Sequence, residues 1–261
     1  MSFYDIRIPQ EDRPALDQLV NNLKYFASDH KTSGYFGDNL ITLGRNLGFM
    51  ADKRFLDAVN DSFLENGDVN KTWRLHVYSW AIKTALPLDG DLIECGVYRG
   101  LYVDSAIKYL GETAFENKEF YLYDTFEGLD LRYSTTMEMA LSLDAEGKAE
   151  YSKNDNETVA RNRFEKFKWV KVVKGVVPDI LKISSPEKIS FLHLDLNAGE
   201  AETKALDYLY DRITNGGVIL IDDYGRFEHN QLHCAHNWWF RDKGQAILEL
   251  PTGQGIVIKR D

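Results

Sequence analysis

Short apolar runs alternate with longer amphipathic stretches from residue 91 onward. A short continuous apolar run favours a buried strand, whereas apolar residues repeated at helical spacing favour a helix. We therefore predict strands over 91–97, 120–123, 170–173, 189–194, 218–221, 246–250 and 255–259. Between them we predict helices over 102–110, 177–182, 200–213 and 233–240, and a polar helical region over 130–168.

Strand and helix alternation predicts a parallel sheet with helices on both faces. The last two strands are joined only by residues 251–254, which cannot hold a crossover helix, so they must be antiparallel. Such an ending is unlike a nicotinamide dehydrogenase and typical of the methyltransferase variant of the doubly wound fold. The predicted fold class is therefore α/β: a Rossmann-like class I methyltransferase sheet, mostly parallel, with an antiparallel C-terminal hairpin.

The first part of the chain has a different, helical and irregular pattern. Two amphipathic faces are expected at helical spacing, made by Leu16, Leu19, Val20, Leu23 and Phe26, and by Phe55, Leu56, Val59 and Phe63. Between them the glycine- and aromatic-rich stretch 34–39 is either a loop packed on the core or a substrate lid. A further helix is predicted over 72–86. We expect residues 1–68 to form a helical extension or lid, and residues 69–261 the main domain.

Composition narrows the class of protein. The chain has 261 residues, 44% hydrophobic and 28% charged, which excludes a disordered chain or a membrane protein. A net charge of −10 without a basic patch disfavours nucleic acid as a partner. No signal peptide or membrane span is visible, and Cys95 and Cys234 are the two cysteines. We expect a reduced, cytoplasmic protein that binds a small-molecule acceptor, with a homo-oligomer left open.

The first strand of the sheet runs into a glycine-containing turn that opens a helix. Glycines there let the backbone approach a ligand toward which the helix N–H groups point. The residues in question are Glu94, Gly96, Tyr98 and Gly100. Their E-x-G-x-x-x-G spacing is looser than the three-glycine motif of dinucleotide binders. It favours a cofactor without phosphate, such as S-adenosylmethionine, over a plain structural turn.

The second strand ends at Asp124, about thirty residues after Glu94, as a β-α-β unit requires. A carboxylate at this tip can accept hydrogen bonds from both ribose hydroxyls of a cofactor. The alternative is an aspartate that caps the next turn. Thr125 and Phe126 follow directly and are predicted to belong to the same cofactor site.

Acidic residues also end two later strands. Asp195 follows one strand, and Asp222 and Asp223 follow another, so the three carboxylates can converge at one edge of the sheet. Three carboxylates this close repel one another unless protons or a cation intervene. Oxygen ligands suit Mg²⁺ or a similar hard cation. We predict a metal site here; capping of the following segment is the alternative for Asp222 and Asp223.

Taken together, these motifs resemble the macrocin O-methyltransferase (TylF/MycF-like) family of class I methyltransferases. The matching stretches are GDLIECGVYRG at 90–100, YDTFEGL at 123–129, FLHLDLN at 191–197 and GGVILIDDYG at 216–225. The resemblance implies O-methylation of a hydroxyl, often on a sugar of a natural product. It also implies S-adenosylmethionine near Glu94, Gly96 and Asp124, and Mg²⁺ on the three aspartates.

One position departs from the family pattern. Sugar-methylating members typically carry a second aspartate two residues after the metal-binding one, proposed as the general base, and this chain has Asn197 there. An amide cannot take the proton, although its carbonyl oxygen could ligate metal or orient a substrate. Asp195, Asn197 and His193 are the candidate catalytic residues. An anionic acceptor, or a non-catalytic cofactor-binding protein, is the alternative.

Histidines offer a further pattern. His229, His233 and His236 fall at helical spacing, which superficially resembles a zinc site but is interpreted as a partly exposed polar helix face. His193 lies two residues before Asp195 on the same strand face and is interpreted as a hydrogen-bonded core histidine more readily than as a base.

Overall fold

A computed structural model describes residues 11–63, 71–142 and 155–260 of the chain. The chain divides into two compact units, Met1–Val77 and Tyr78–Asp261. The boundary predicted between residues 68 and 69 lies outside the described residues and stays a prediction. Among the residues that are described, no helix combines the length and apolar character that crossing a bilayer requires.

In the first unit, helix α1 spans Arg13–Asp29 and helix α2 spans Lys53–Phe63. The predicted apolar face of α1 is wrong in part, because Leu19 and Phe26 are 54% and 48% exposed. Val20 and Ala27 are the buried side chains of this helix. They lie two turns apart on one line along the helix, so the buried stripe is narrower than the apolar spacing suggests.

The stretch 34–39, predicted as a loop or lid, belongs to a β-hairpin. Strands β1 (Gly34–Gly37) and β2 (Leu40–Leu43) pair antiparallel. Asp38 and Asn39 join them with φ of +50° and +61°, the left-handed pair that a type I′ turn needs. Arg74 Nε donates to Asp38 Oδ2 at 2.9 Å, and both side chains are buried. A role of this hairpin as a lid stays a prediction.

A seven-stranded sheet forms the centre of the second unit. Its strands are β3 (Asp91–Cys95), β4 (Phe120–Asp124), β5 (Val170–Lys174), β6 (Ile189–Leu194), β7 (Ile213–Ile221), β8 (Leu248–Glu249) and β9 (Gly255–Ile258). Their order is β5-β4-β3-β6-β7-β9-β8. Strands β3 to β7 are parallel, and β9 is antiparallel to both β7 and β8. The predicted fold class is confirmed.

The described helices that accompany the sheet are α3 (Thr72–Ala85), which runs through the division between the units, α4 (Leu101–Leu110), α5 (Thr136–Ser142), α6 (Asn156–Phe164), α7 (Gly199–Leu209) and α8 (Asn230–Asp242). The helix predicted over 200–213 is too long: α7 is followed by a 3₁₀ turn at Tyr210–Arg212. Ile213 then starts β7, because it pairs with Ile189 of β6. Residues 143–154 of the predicted polar helical region lie outside the described residues.

Strand order reverses at the centre of this sheet, which fixes where a ligand can bind. The chain goes outward from β3 to β4 and β5, then returns to place β6 on the other side of β3. Every residue of β6 is buried, as a central parallel strand requires. Open sheets of this kind bind ligands at the carboxyl ends of the strands beside the reversal point.

Candidate active site

The loops that leave β3, β6 and β7 begin side by side. Gly96 N–H donates to Tyr123 O at 2.8 Å, and Asp195 N–H donates to Cys95 O at 2.8 Å. Asp222 N–H likewise donates to Leu194 O at 2.9 Å. Hydrogen bonding of the parallel sheet thus continues past the strand ends, and the predicted cofactor and metal residues are held at one edge.

Gly96 is where two of these loops come closest. Its φ is +90°, and a Cβ added there would lie 2.0 Å from Asp195 O. A side chain at this position would therefore collide with the backbone of the loop that carries a predicted metal ligand. The glycine requirement has a physical reason within the protein itself, in addition to the ligand approach predicted from the sequence.

Side-chain packing also requires a glycine at position 100. Its φ of +75° places it in the left-handed region at the start of α4. A Cβ there would lie 2.4 Å from the Phe164 ring of α6. The missing side chain therefore makes room for an aromatic ring, and the ligand approach predicted from the sequence stays a prediction.

Asp124 joins the turn after β3 to the turn after β4. Its Oδ2 accepts the N–H groups of Val97 and Tyr98, both at 2.7 Å, and its Oδ1 accepts the N–H of Phe126 at 2.6 Å. Tyr98 and Phe126 have φ of +51° and +55°, an uncommon conformation for residues with side chains. One carboxylate therefore holds two strained turns together. Thr125 closes the second turn by donating its hydroxyl to Gly128 O at 2.7 Å.

Glu94 is buried beneath the glycine turn. The Tyr78 hydroxyl donates to its Oε2, and His193 Nδ1 lies 3.1 Å from the same oxygen. Burial and the neighbouring Glu94 carboxylate raise the pKa of Tyr78 well above its ordinary value, so this phenol stays protonated as a donor. Tyr78 was not singled out from the sequence, because its spacing matches any buried position of an amphipathic helix.

His193 lies between two buried carboxylates. Its Nδ1 faces Glu94, and its Nε2 lies 3.8 Å from Asp222 Oδ1, beyond hydrogen-bond distance but within range of electrostatic attraction. Burial lowers the pKa of His193, but Asp222 and Glu94 raise it more, to about 10. With no exposed side-chain surface, this ring holds the two carboxylates in place, in agreement with a core histidine.

The three predicted metal ligands converge. One carboxylate oxygen from each of Asp195, Asp222 and Asp223 lies within 4.8 Å of those of the other two. Asp222 is buried and accepts a hydrogen bond on Oδ1 from Gln254 Nε2 at 2.8 Å. The all-oxygen donor set and its excess negative charge fit a hard divalent cation such as Mg²⁺.

Two basic side chains flank Asp223. Arg226 Nε lies 3.7 Å from Asp223 Oδ1, and His229 Nε2 lies 3.9 Å from Oδ2. The other two histidines of the predicted helical set turn elsewhere: His233 Nδ1 lies 3.0 Å from Tyr224 O, and His236 Nε2 lies 2.6 Å from Glu202 Oε2. The three histidines therefore have different partners, and the predicted partly exposed polar face is wrong at His236, whose side chain is fully buried against Glu202.

Asn197 lies in the loop between β6 and α7, with φ of +56°. On either side of it, Leu196 N–H donates to Glu202 Oε1 at 2.9 Å and Gly199 N–H donates to Glu138 Oε1 at 2.7 Å. Neither glutamate was predicted. A T-x-x-E pattern at Thr135 marks a helix start in the sequence, but nothing in it indicates that the glutamate also reaches this loop.

A mostly parallel sheet with an antiparallel closing hairpin, carrying a glycine turn and converging acids at its carboxyl edge, is the class I methyltransferase fold. The sequence profile of the macrocin-O-methyltransferase (TylF) family matches residues 74–245. The chain belongs to this family. The predicted resemblance to this family is confirmed.

Individual relatives are more distant. A Streptomyces olivaceus protein, 8-demethyl-8-(2,3-dimethoxy-alpha-L-rhamnosyl)-tetracenomycin-C 4′-O-methyltransferase, is 26% identical over 166 residues, covering 58% of this chain and 60% of that protein. The O-methyltransferase NovP superposes with a TM-score of 0.62 at 17% identity, covering 74% of this chain and 82% of NovP. Apo CalS11, a TDP-rhamnose 3′-O-methyltransferase, gives a TM-score of 0.55 at 14% identity, covering 98% and 97%.

Proposed function

We propose that the protein transfers a methyl group from S-adenosylmethionine to a hydroxyl of a sugar or a sugar-bearing natural product. The observation that carries this proposal is the convergence of Asp195, Asp222 and Asp223, whose ligand atoms lie within 4.8 Å of one another beside the glycine turn. The relative from Streptomyces olivaceus, whose name describes methylation of a rhamnosyl group, supports a sugar as the acceptor.

Cofactor binding is assigned to the turns after β3 and β4, which contain Glu94, Gly96, Tyr98, Gly100, Asp124, Thr125 and Phe126. S-adenosylmethionine supplies an electrophilic methyl group on sulfur. Asp124 Oδ1 accepts one N–H in the structure, so it keeps the capacity to accept a ribose hydroxyl as well. The same carboxylate fixes the turn around it, which provides a site organised before the cofactor arrives.

Metal binding is assigned to the three aspartates. A divalent cation held by these carboxylates would supply Lewis-acid chemistry, which lowers the pKa of a hydroxyl beside it. Gln254 donates to Asp222 at 2.8 Å, and Arg226 lies 3.7 Å from Asp223, so both carboxylates are oriented by neighbours. Groups that orient metal ligands in this way commonly matter almost as much as the ligands themselves.

The loop after β6 supplies only some of the residues that proton removal from the acceptor requires. Asn197 can orient an acceptor through its amide but cannot hold a proton. His193 is fully buried and orients Asp222 and Glu94. His229, beside Asp223 and partly exposed, is the described histidine placed to take part at the acceptor side. An acceptor that is already anionic would need no base, and it is the second candidate that Asn197 favours.

A direct test is methyl transfer from labelled S-adenosylmethionine to TDP-rhamnose and to rhamnosylated polyketides, followed by mass spectrometry. We expect one added methyl group per acceptor, lost with a chelator and restored by Mg²⁺. Asp195→Asn should be inactive, whereas Asp211→Asn, an exposed aspartate after α7, should behave like wild type. Chelator-insensitive turnover would contradict the metal role. Cofactor binding without transfer to any sugar would contradict the proposed reaction.

A further inference from the structure

Two carboxylates hold the backbone of the loop between β6 and α7. Glu202 belongs to α7 itself, six residues after Leu196, whose N–H it accepts. Glu138 comes from 61 residues earlier in the chain and accepts the N–H of Gly199 at 2.7 Å. This second contact joins the connection that leaves β4, on the cofactor side, to the loop that carries Asp195 and Asn197.

Glu138 is a buried residue in a segment whose other side chains are mostly exposed to solvent. Its side chain is 4% exposed, whereas Leu131 and Met137 nearby are 75% and 60% exposed. Segments normally bury apolar side chains and leave carboxylates in water, because burying an unpaired charge costs several kcal/mol. Here a buried carboxylate is one of the groups that attach the segment to the rest of the unit.

Both oxygens of this carboxylate have backbone partners. Oε2 accepts the N–H of Thr135 at 2.7 Å, and Glu138 N–H lies 3.2 Å from Thr135 Oγ1, which is the capping box of α5. Oε1 takes the N–H of Gly199, the first residue of α7, which has no acceptor within its own helix. A single side chain therefore joins the starts of two helices, both of which favour negative charge.

The same segment is attached at two further points. Arg132 Nη1 and Tyr133 Oη both reach the Asp179 carboxylate after β5, each at 2.9 Å. The Thr135 hydroxyl lies 2.5 Å from Gln231 Oε1 at the start of α8. The segment thus extends along the carboxyl edge of the sheet, and Glu138 is its attachment to the loop of the predicted catalytic residues.

We propose that Glu138 is a positioning residue for methyl transfer: by bridging Thr135 and Gly199 it fixes the loop that carries Asp195 and Asn197. This inference rests on the proposed function, in which that loop faces the acceptor. Asn197 has a left-handed backbone, so its orientation depends on the chain being held at both ends. Releasing Gly199 loosens the acceptor side and leaves the Asp124 side of the site intact.

Three substitutions of Glu138 separate the effect of side-chain length from the effect of side-chain charge. Glu138→Gln keeps the length of the side chain, and its amide oxygen accepts from Gly199. Its amide nitrogen cannot accept the N–H of Thr135 and donates to the Thr135 hydroxyl in its place. Glu138→Asp keeps the charge but is one methylene too short to reach both partners. Glu138→Ala removes both properties. The control is Glu200→Ala, an exposed acid in the first turn of α7 whose neighbour is Lys204 at 3.7 Å.

The first measurement is residue-resolved hydrogen exchange in the metal-free and cofactor-free protein. We expect the Gly199 amide to exchange about tenfold faster in Glu138→Asp and Glu138→Ala, as loss of a bond to a charged acceptor implies. Glu138→Gln and Glu200→Ala should stay near wild type, and the Leu196 amide, held by Glu202, should not change. Wild-type protection of Gly199 in Glu138→Asp overturns the proposal.

The second measurement is the split between turnover and cofactor binding, with an acceptor found in the sugar screen. We expect kcat to fall about tenfold or more in Glu138→Asp and Glu138→Ala, while the calorimetric Kd for S-adenosylmethionine stays within about twofold. Glu138→Gln should restore turnover. If cofactor affinity, melting temperature and turnover fall together and Glu138→Gln gives no rescue, the role is structural and the proposal is wrong.

These outcomes are distinct from failure of the proposed function. If the wild-type protein methylates no sugar hydroxyl, the reaction assignment fails, but the exchange rates of Gly199 still decide whether Glu138 holds the loop. If the wild type is active and Glu138→Asp keeps full turnover, the positioning role alone fails.

Discussion

Among single residues, Asp124 holds the turns after β3 and β4 and is also the predicted ligand of the cofactor ribose. We expect Asp124→Ala to weaken S-adenosylmethionine binding at least about tenfold, because three backbone N–H groups of two strained turns lose their acceptor. Calorimetric titration measures this. The matched control is Glu127→Ala, an acid three residues on that is 75% exposed and pairs with Lys174. Unchanged affinity in Asp124→Ala would remove this carboxylate from the cofactor site.

Asn197 gives a second prediction at this scale. A well-placed general base raises the rate about 10²–10⁴-fold. If the missing base limited turnover, Asn197→Asp would raise turnover by a comparable factor. We expect a gain of less than about tenfold on the native acceptor, because the acceptor is activated by another route. Asn162→Asp, an exposed site on α6, controls for added charge.

A pH–rate profile separates the possible routes around Asn197. Activation by the cation or by a histidine should give a rising limb near neutrality, whereas an anionic acceptor should give a flat profile there. A many-fold increase in turnover of Asn197→Asp would show that the missing carboxylate was limiting.

Individual site residues could be predicted where a strand end determines their position. Asp195, Asp222 and Asp223 each follow a short apolar run, and parallel strands bring their ends to one edge, so convergence followed from the pattern alone. The physical reason why a particular residue type occurs at a position was harder to predict than its position in the site. Gly100 was predicted as a site for ligand approach, and its additional role of accommodating Phe164 depends on a contact that no local pattern encodes.

Between elements, the close approach of the turn after β3 to the loop after β6 gives a stability prediction. Gly96→Ala and Gly128→Ala place an alanine at nearly equal φ, +90° and +87°. At Gly128 the added Cβ has no described atom within 4 Å beyond its two chain neighbours, so only the backbone cost of about 1–2 kcal/mol is expected.

At Gly96 the added Cβ meets Asp195 O at 2.0 Å, so overpacking adds about 1–3 kcal/mol more. Denaturant unfolding of both variants measures the difference in the free energy of unfolding. Equal destabilisation of the two variants would show that the two loops relax apart without cost.

Element boundaries were predictable only where local signals and pairing agree. Strand β6 was predicted at the observed bounds, Ile189–Leu194, because a buried central strand is apolar throughout. The helix predicted over 200–213 was wrong at its end. The helical spacing of apolar residues continues through the 3₁₀ turn Tyr210–Arg212, but Ile213 belongs to β7 because it pairs with β6. The β1–β2 hairpin was missed because its turn has Asp38 and Asn39 in place of the usual turn glycine.

For the molecule as a whole, the three aspartates predict a dependence of stability on Mg²⁺. The carboxylates repel one another without a cation, and a ligand that binds only the folded state stabilises it by about 2.7 kcal/mol at a hundred times its Kd. Thermal unfolding should therefore shift upward with Mg²⁺ in the wild type and in Asp211→Asn, but not in Asp195→Asn. Equal shifts in all three proteins would place the cation elsewhere.

Long-range contacts were the part of the site that no single stretch of sequence could reveal. Tyr78 reaches Glu94, and Gln254 reaches Asp222 across 32 positions. Glu138 reaches Gly199 across 61 positions. Each is an ordinary residue in its own segment, and its role arises only when the sheet order brings distant segments together. Folding of the sheet thus creates the environment of the site, while the strand ends supply its reactive groups.

Gln254, which orients Asp222, has a consequence for the order of events during synthesis. The aspartates are added to the chain before the amide that orients Asp222, because Gln254 is translated 32 residues after Asp222. At about 5–20 residues per second, that interval lasts about 2–6 s. During this interval the chain contains all three aspartates but lacks the amide that orients Asp222 in the folded protein. We therefore expect selectivity among divalent cations to be complete only after the antiparallel hairpin has closed.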